Sequence, residues 1–359
     1  MLEKQDTISK AHLAAGRAVD HLRRQLGLVF QEDDGKFLGA CPVEGLTAGL
    51  LADLQTLPQT RLRLLLTGAR ARYLRLDVKD AKAVIIDAQY MPLSVLQALA
   101  DPLANETPLP EITPLLPEPS HEMLLTLAKH ASLLPAMLLV ESDALPEDWI
   151  RIKLADVKSY WAAPRFDIVP LARAALPVEG AEHAVLHCFR ERYGTSVHLA
   201  MVFGGAAGPA PLVRVHSSCI TGDILGSLRC DCGDQLRLAL QHIGEAKSGI
   251  LLYLHQEGRG IGIANKLRAY QLQERGVDTY EANAMLGFDE DERDFSIAGA
   301  ILETMKVQKI RMLTNNPHKL AAMERTGITV AERVPLICPP GAHNHAYIDA
   351  KAKKAGHLF

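Results

Sequence analysis

The chain has few aromatic residues, few cysteines, no sustained charge of one sign and no long apolar run. Each shortage excludes something. Aromatics make up 5% of the 359 residues, so its cores must be built from Leu, Ala, Val and Ile. The formal net charge of −3, from 39 Lys and Arg against 42 Asp and Glu, exerts no general pull on nucleic acid or an anionic membrane. Any phosphate site must therefore be local. No stretch approaches the ~20 apolar residues of a membrane span. The opening Met1-Leu-Glu-Lys-Gln-Asp-Thr has no signal-peptide pattern. Six cysteines, with Cys41, Cys188 and Cys338 scattered, make no disulfide framework and fit a reducing, cytoplasmic setting. No internal repeat is visible.

What is there concentrates between Arg214 and Gly233, where Cys219, Cys230 and Cys232 fall among Thr, Asp, Arg and Gly. No fourth Cys or His follows at ligand spacing. A structural zinc is closed by four protein ligands, whereas a catalytic zinc takes three and keeps a position for water. Cys-x10-Cys-x-Cys thus suits an open, working zinc; the plain alternative is three unrelated thiols.

The length suggests about two domains. A helix is expected over 8–25, a hairpin turning at Asp34-Gly35, a helix over 44–56, and strands at 62–67 and 83–88. Six prolines between 102 and 119 predict an irregular segment. Ser120 is placed to cap a helix over 121–132, before a strand at 136–141 and a helix at 154–161. The first domain is therefore 1–161. Pro164, Pro170 and Pro177 mark a linker over 162–182. The second domain, 183–359, opens with a hairpin of strands 184–191 and 196–203. It continues with helix 234–246, strand 249–254, helices 263–275 and 292–305, strand 309–314, helix 317–326 and strand 328–332. The fold class is mixed α/β: two domains, each a mixed sheet with flanking helices.

Four further clusters lie at turns or element ends, where reactive groups gather. Gln256-Glu-Gly-Arg-Gly-Ile-Gly lets backbone approach a ligand and gives Arg259 a phosphate or carboxylate to fork onto; many plain loops also carry Gly and Arg. Lys266 and Tyr270 share one helix face, which could equally be a solvated basic face. Arg293 sits among acids at 289–292 and 294, which could equally be an acidic helix start. Thr314-Asn-Asn-Pro-His-Lys ends a strand and opens a helix, suiting an anion or a simple N-cap. Jointly, a three-thiolate metal, several cations near glycine loops and an amide-rich helix start suit hydrolysis at a carbon of a phosphorylated compound.

With those residues in view, 183–359 resembles the GTP cyclohydrolase II family. Arg-Val-His-Ser-x-Cys-x-Thr-Gly-Asp, Ser-Leu-Arg-Cys-Asp-Cys-Gly, Gln-Glu-Gly-Arg, Asn-Lys-x-Arg-Ala-Tyr, Glu-Ala-Asn-x-x-Leu-Gly-Phe, Asp-Glu-Arg-Asp-Phe, Leu-Thr-Asn-Asn-Pro-x-Lys and the terminal Lys-Ala-x-Lys-x-Gly-His-Leu match in order. The resemblance implies conversion of GTP to 2,5-diamino-6-(5-phospho-ribosylamino)pyrimidin-4(3H)-one with release of formate and pyrophosphate, the first step of riboflavin biosynthesis. It implies one zinc on Cys219, Cys230 and Cys232, Mg2+ with the triphosphate, and a homodimer. Arg293 matches the proposed nucleophile at the α-phosphate, with electrostatic stabilisation as the alternative. Asp291 matches its proton acceptor, and Tyr270 a tyrosine beside the ring chemistry. Arg214, Val215, His216, Ser217, Gln235, Glu257, Gly258, Arg259, Thr279, Thr314 and Lys319 match nucleotide-binding positions. Two departures bear on substrate: Ser218 stands where the family has Glu, and Leu254-His255 where it has His-Arg. They keep open a ring-opening hydrolase on another purine or pyrimidine nucleotide, or a non-catalytic nucleotide-binding homologue.

Residues 8–161 resemble a 3,4-dihydroxy-2-butanone-4-phosphate synthase domain, through Leu26-Gly-Leu-Val-Phe-Gln-Glu-Asp-Asp and the Ser120-His-Glu helix. The carboxylate loop that serves that synthase is replaced by Asp34-Gly-Lys-Phe-Leu-Gly. His121 stands at a metal-ligand position alone, so no synthase activity is expected.

Overall fold

A computed structural model describes residues 2–118, 120–162, 167–179, 182–192, 194–204, 209–246 and 248–338. The terminal 351–358 motif lies outside the described residues. The chain forms two compact units. The first comprises Met1–Ala163 and Ile261–Glu292, the second Pro164–Gly260 and Arg293–Phe359. Each is a mixed sheet flanked by helices, as expected.

Unit one is built on β1 (Leu28–Gln31), β2 (Phe37–Pro42), β3 (Arg61–Thr67), β4 (Ala83–Asp87), β5 (Ala136–Glu141) and β6 (Ile150–Lys153), in the order β4-β3-β5-β2-β1-β6. Only the β1–β6 pair is parallel. Both faces are covered, so the strands read as continuous apolar runs rather than alternating ones. The period of two still sorts them. Leu62, Leu64 and Leu66 of β3 face one core with Leu51, Leu54, Leu96 and Leu99. Leu65 faces the other, with Leu22, Leu124, Leu127 and Val157. Helices Gly262–Glu274 and Thr279–Met285 add a small third core in which Leu134 packs with Ile261, Ala269, Leu272, Ala282, Met285, Leu286 and Phe288.

Unit two is built on β7 (Ile168–Ala175), β8 (Val185–Glu191), β9 (Val197–Phe203), β10 (Leu212–Ser217), β11 (Gly249–Leu254), β12 (Lys309–Leu313) and β13 (Thr329–Val334). The order is β13-β12-β10-β11-β9-β8-β7. β10 is parallel to β11 and β12, and β12 to β13; the pairs from β11 through β9 and β8 to β7 are antiparallel. Helix Cys232–Glu245 buries Ala239 and Ile243 against Leu212 and Leu251. Helices Ser296–Thr304 and Pro317–Arg325 cover the other face, against Val213, Val215, Ile250 and Leu252. The C-terminal ends of β10, β11 and β12 consequently open at one edge, the place where open parallel sheets bind ligands.

Three local expectations change. Residues 168–175, read as linker, form edge strand β7, with a register shift between Pro170 and Ala172 where proline cannot donate. Ser120 is not the cap: the helix is Glu122–His130, entered at His121 without a side-chain cap. The helix expected from 292 starts at Ser296, whose amide donates to Asp294 Oδ1 at 2.9 Å, so the acidic run precedes it as a loop.

Candidate metal centre

The turn after β10 starts the site. Cys219 leaves the strand and Ile220–Ile224 forms a wide, π-type turn. Cys219 Sγ accepts from the Gly222 amide at 3.4 Å and lies 3.5 Å from Thr221 Oγ1. The chain returns through Cys230 and starts a helix at Cys232, which sets all three Sγ within 4.8 Å of one another. Cys219 Sγ and Cys230 Sγ are 3.7 Å apart. Two sulfurs each ~2.3 Å from a shared tetrahedral zinc lie about 3.8 Å apart, so the spacing fits that ion. The contact with Cys219 pushes the Cys230 thiol up, Cys232 works in the opposite sense, and burial adds to the rise. Full deprotonation of three sulfurs this close would need a cation among them.

Two glycines make the cradle possible. A Cβ on Gly222 would lie 2.8 Å from Cys230 Sγ and 3.2 Å from Cys219 Sγ, filling the space among the sulfurs. A Cβ on Gly233 would lie 2.3 Å from the Gly222 carbonyl oxygen, so the helix can start against the turn only without one.

Asp223, which the sequence reading left out, is the hub beneath the centre. Its carboxylate accepts from the Cys219 amide at 2.9 Å and from Tyr253 Oη at 2.9 Å, and lies 3.1 Å from His216 Nε2. An acceptor-only carboxylate puts the imidazole proton on Nε2. His216 stacks on Tyr253 with ring centroids 5.6 Å apart. Burial pushes the His216 pKa down, against the pull of Asp223, and pushes the Tyr253 phenol up. The missed signal is the Asp at i+4 from Cys219, which looks like turn chemistry until β11 brings Tyr253 beside it.

The elbow after β11 closes the other side. Glu257 Oε2 accepts from the Ile220 amide at 2.6 Å and Oε1 from the Gly258 amide at 2.9 Å. A carboxylate thus sits next to Cys219, although Ser218 carries none. Ser218 is buried, and its Oγ accepts from the Gln256 amide at 3.2 Å. Ser217 Oγ lies 3.5 Å from Gln256 Oε1. His198 Nδ1 accepts from the His255 amide at 3.2 Å, pinning the elbow from β9. Arg259 adopts φ +59°, a left-handed conformation costly for a side-chain residue and typical of functional sites.

Positive charge gathers at the ends of β10 and β12. Arg214 is buried, which lowers its pKa to about 10. It donates to the Leu313 carbonyl at 3.1 Å and to Gln235 Oε1 at 2.6 Å, so these two expected substrate residues hold each other. Lys319 Nζ donates to the Val215 carbonyl at 2.9 Å and lies 5.1 Å from the Phe295 ring centre. Arg293 lies 5.0 Å from the same centre. Thr314 is buried and accepts from the Asn316 amide at 3.0 Å; Asn316 in turn caps the helix by accepting from His318. Unit two therefore brings together the cysteines, Arg214 to Ser218, Gln235, Glu257 to Arg259, Arg293, Thr314 and Lys319. Tyr270, Thr279 and Asp291 belong to unit one. There Lys266 Nζ lies 5.9 Å from the Tyr270 ring centre. Asp291 is exposed, and the Thr279 side chain is outside the described residues.

A profile of GTP cyclohydrolase II matches residues 170–335. The GTP cyclohydrolase-2 of Azospirillum brasilense is 37% identical over 96% of this chain and 95% of its own. The chain belongs to the GTP cyclohydrolase II family. The GTP cyclohydrolase-2 of Cronobacter sakazakii is 50% identical but covers 53% of this chain and 96% of its own. The family thus includes chains about half this length, and the Azospirillum relative has the long form. The crystal structure of RibBX, a two-domain 3,4-dihydroxy-2-butanone 4-phosphate synthase from A. baumannii, covers 90% of this chain and 99% of that one at 16% identity and a TM-score of 0.33, too distant to bear on the site. Membership gives the GTP cyclohydrolase II cysteine triad a hydrolytic setting that geometry alone leaves general. No helix among the described residues is long and apolar enough to cross a membrane.

Proposed function

We propose that this chain hydrolyses GTP as a zinc-dependent GTP cyclohydrolase II, opening the imidazole ring at C8 and releasing formate and pyrophosphate to begin riboflavin synthesis. Water cleaves both C8–N bonds, and a further water cleaves the α–β phosphoanhydride. Convergence of Cys219, Cys230 and Cys232 around space that only Gly222 leaves open carries this reading. When bound there, zinc supplies the Lewis acidity that makes water nucleophilic near neutral pH. Glu257, fixed by two amides, is the chain's own carboxylate for orienting water or base. Arg293 and Lys319, on one aromatic ring, and Arg259 in the elbow are the cations for a triphosphate with Mg2+. Arg214, Val215, His216, Ser217, Ser218, Gln235, Gly258 and Thr314 shape the nucleotide site from beneath. Tyr270, Thr279 and Asp291 enter on their motif match. The chemistry belongs to 183–359 in a cytoplasmic homodimer, with 1–161 carrying no synthase activity.

Zinc-loaded protein given GTP and Mg2+ should release formate, pyrophosphate and a diaminopyrimidine, and Cys230→Ser should lose both zinc and turnover. Full zinc occupancy with no product would count against the proposal. The absent carboxylate at Ser218 favours one second reading, ring opening of another purine or pyrimidine nucleotide; a substrate panel separates the two, with Ser218→Glu raising GTP turnover if that residue is the cause.

A further inference from the structure

Past Leu254 the chain makes an elbow whose backbone is unfavourable by itself. Gly258 and Arg259 are both left-handed, with φ of 63° and 59°. Left-handed residues seldom come in succession, and strain of this kind persists only where neighbouring contacts hold it. The contacts come from three directions. The Gln256 amide donates to Ser218 Oγ at 3.2 Å, Gln256 Nε2 donates to the Asp294 carbonyl at 2.7 Å, and Glu257 Oε2 accepts from the Ile220 amide at 2.6 Å.

The root of the elbow is held by a histidine that none of the family motifs contains. The backbone ladder between β9 and β11 ends at Leu199 and Tyr253. Beyond it the His198 side chain does what a strand would do: its Nδ1 accepts from the His255 amide at 3.2 Å. His198 lies in β9, between β8 and β11, and is 1% exposed. Nδ1 accepts only when it carries no proton, so the ring proton sits on Nε2. Nε2 makes no hydrogen bond and stands 3.5 Å from Glu191 Oε1, whose negative charge favours a proton on that nitrogen. A buried ring nitrogen left without a bond is a poor choice for packing alone. The bond from Nδ1 to the elbow is what the imidazole supplies that an apolar side chain would not.

We propose that His198 is a positioning residue for the hydrolysis, acting through the backbone of His255. Its Nδ1 fixes the point at which the chain leaves β11, and with it the placement of Glu257 and Arg259; Glu191 holds the tautomer that does this. The role rests on the reading of the elbow as part of the GTP site.

Three substitutions separate it from packing. His198→Asn keeps an acceptor where Nδ1 stands, His198→Gln puts its amide where Nε2 stands, and His198→Leu fills the space with no acceptor. The full-length, zinc-loaded protein is assayed with GTP and Mg2+, and hydrogen–deuterium exchange is read over 255–260. In His198→Asn kcat should stay within about threefold of wild type; in His198→Gln and His198→Leu it should fall about 100-fold, the scale of a misplacement of about 1 Å. Exchange over 255–260 should quicken in the latter two alone, with zinc retained in all three. His198→Asn against His198→Gln is the deciding pair if His198→Leu misfolds. Equal kcat in that pair, or unchanged exchange over 255–260 in His198→Gln, would overturn the role. A wild type that turns over no GTP would sink the cyclohydrolase reading instead, and the exchange comparison would still decide whether His198 holds the elbow.

Discussion

At the scale of single residues, the centre depends on what is missing as much as on what coordinates. Gly222 contributes no side chain and one amide, which donates to Cys219 Sγ. Gly222→Ala puts a methyl 2.8 Å from Cys230 Sγ. Elemental analysis should find most zinc lost while the far-UV spectrum stays native, because nothing but the thiol cluster is displaced. Asp223 works differently. Three donors converge on it, from Cys219, His216 and Tyr253. An amide offers one acceptor oxygen and two N–H groups, so Asp223→Asn must either leave a donor unmet or drive the His216 proton from Nε2 to Nδ1. Each buried donor so stranded costs about 1–3 kcal/mol, and loss of support outside the coordination sphere costs ~10–100-fold in metal affinity. Urea denaturation and competitive zinc titration should register both losses; an unchanged zinc affinity would make Asp223 a fold residue only.

At the scale of elements, a turn, a helix start and an elbow meet where parallel strands end. Gly233→Ala tests the helix start. Its methyl would lie 2.3 Å from the Gly222 carbonyl, which is backbone and cannot rotate away. Helix Cys232–Glu245 must shift and carry Cys232 with it, so turnover and zinc content should fall together, whereas loss of turnover with zinc retained would point to the substrate side. The triad was legible because its ligands fall within fourteen residues, 219 to 232, bounded by glycines. Sheet register made the rest illegible. Asp223 matters through Tyr253, thirty residues on, and Glu257 through the Ile220 amide, thirty-seven back. β7 was hidden for another reason: an edge strand tolerates Pro170 at a register shift, and most of its side chains are exposed, so it carries a linker's composition.

At the scale of the whole molecule, chain order and compact units do not coincide. Residues 261–292 lie within the stretch that carries family motifs, yet they form one compact unit with the first 163 residues. Arg268 pairs with Glu44 at 2.6 Å, Asn265 Nδ2 donates to the Ser132 carbonyl at 2.9 Å, and Lys129 reaches Asp289 and Glu292 at 2.9 and 2.6 Å. Arg70 is the most demanding link. It is buried, which lowers its pKa to about 10, and it donates to the carbonyls of Ala98, Leu99 and Met285. One guanidinium thus closes the C-terminal ends of helices Leu93–Ala100 and Thr279–Met285, whose last carbonyls have no helical partner. Arg70→Met keeps the length and apolar stem but strands up to three buried carbonyls, at about 1–3 kcal/mol each. Because the link lies inside unit one, the loss should be local. Hydrogen–deuterium exchange should accelerate over 93–101 and 279–288, while β10, β11 and β12 keep their protection and zinc stays bound. Tyr270 and Asp291 belong to the same unit as that segment, so under the roles proposed for them GTP turnover should fall while zinc is retained. Uniform acceleration across both units would instead mean that the molecule opens as a single cooperative body.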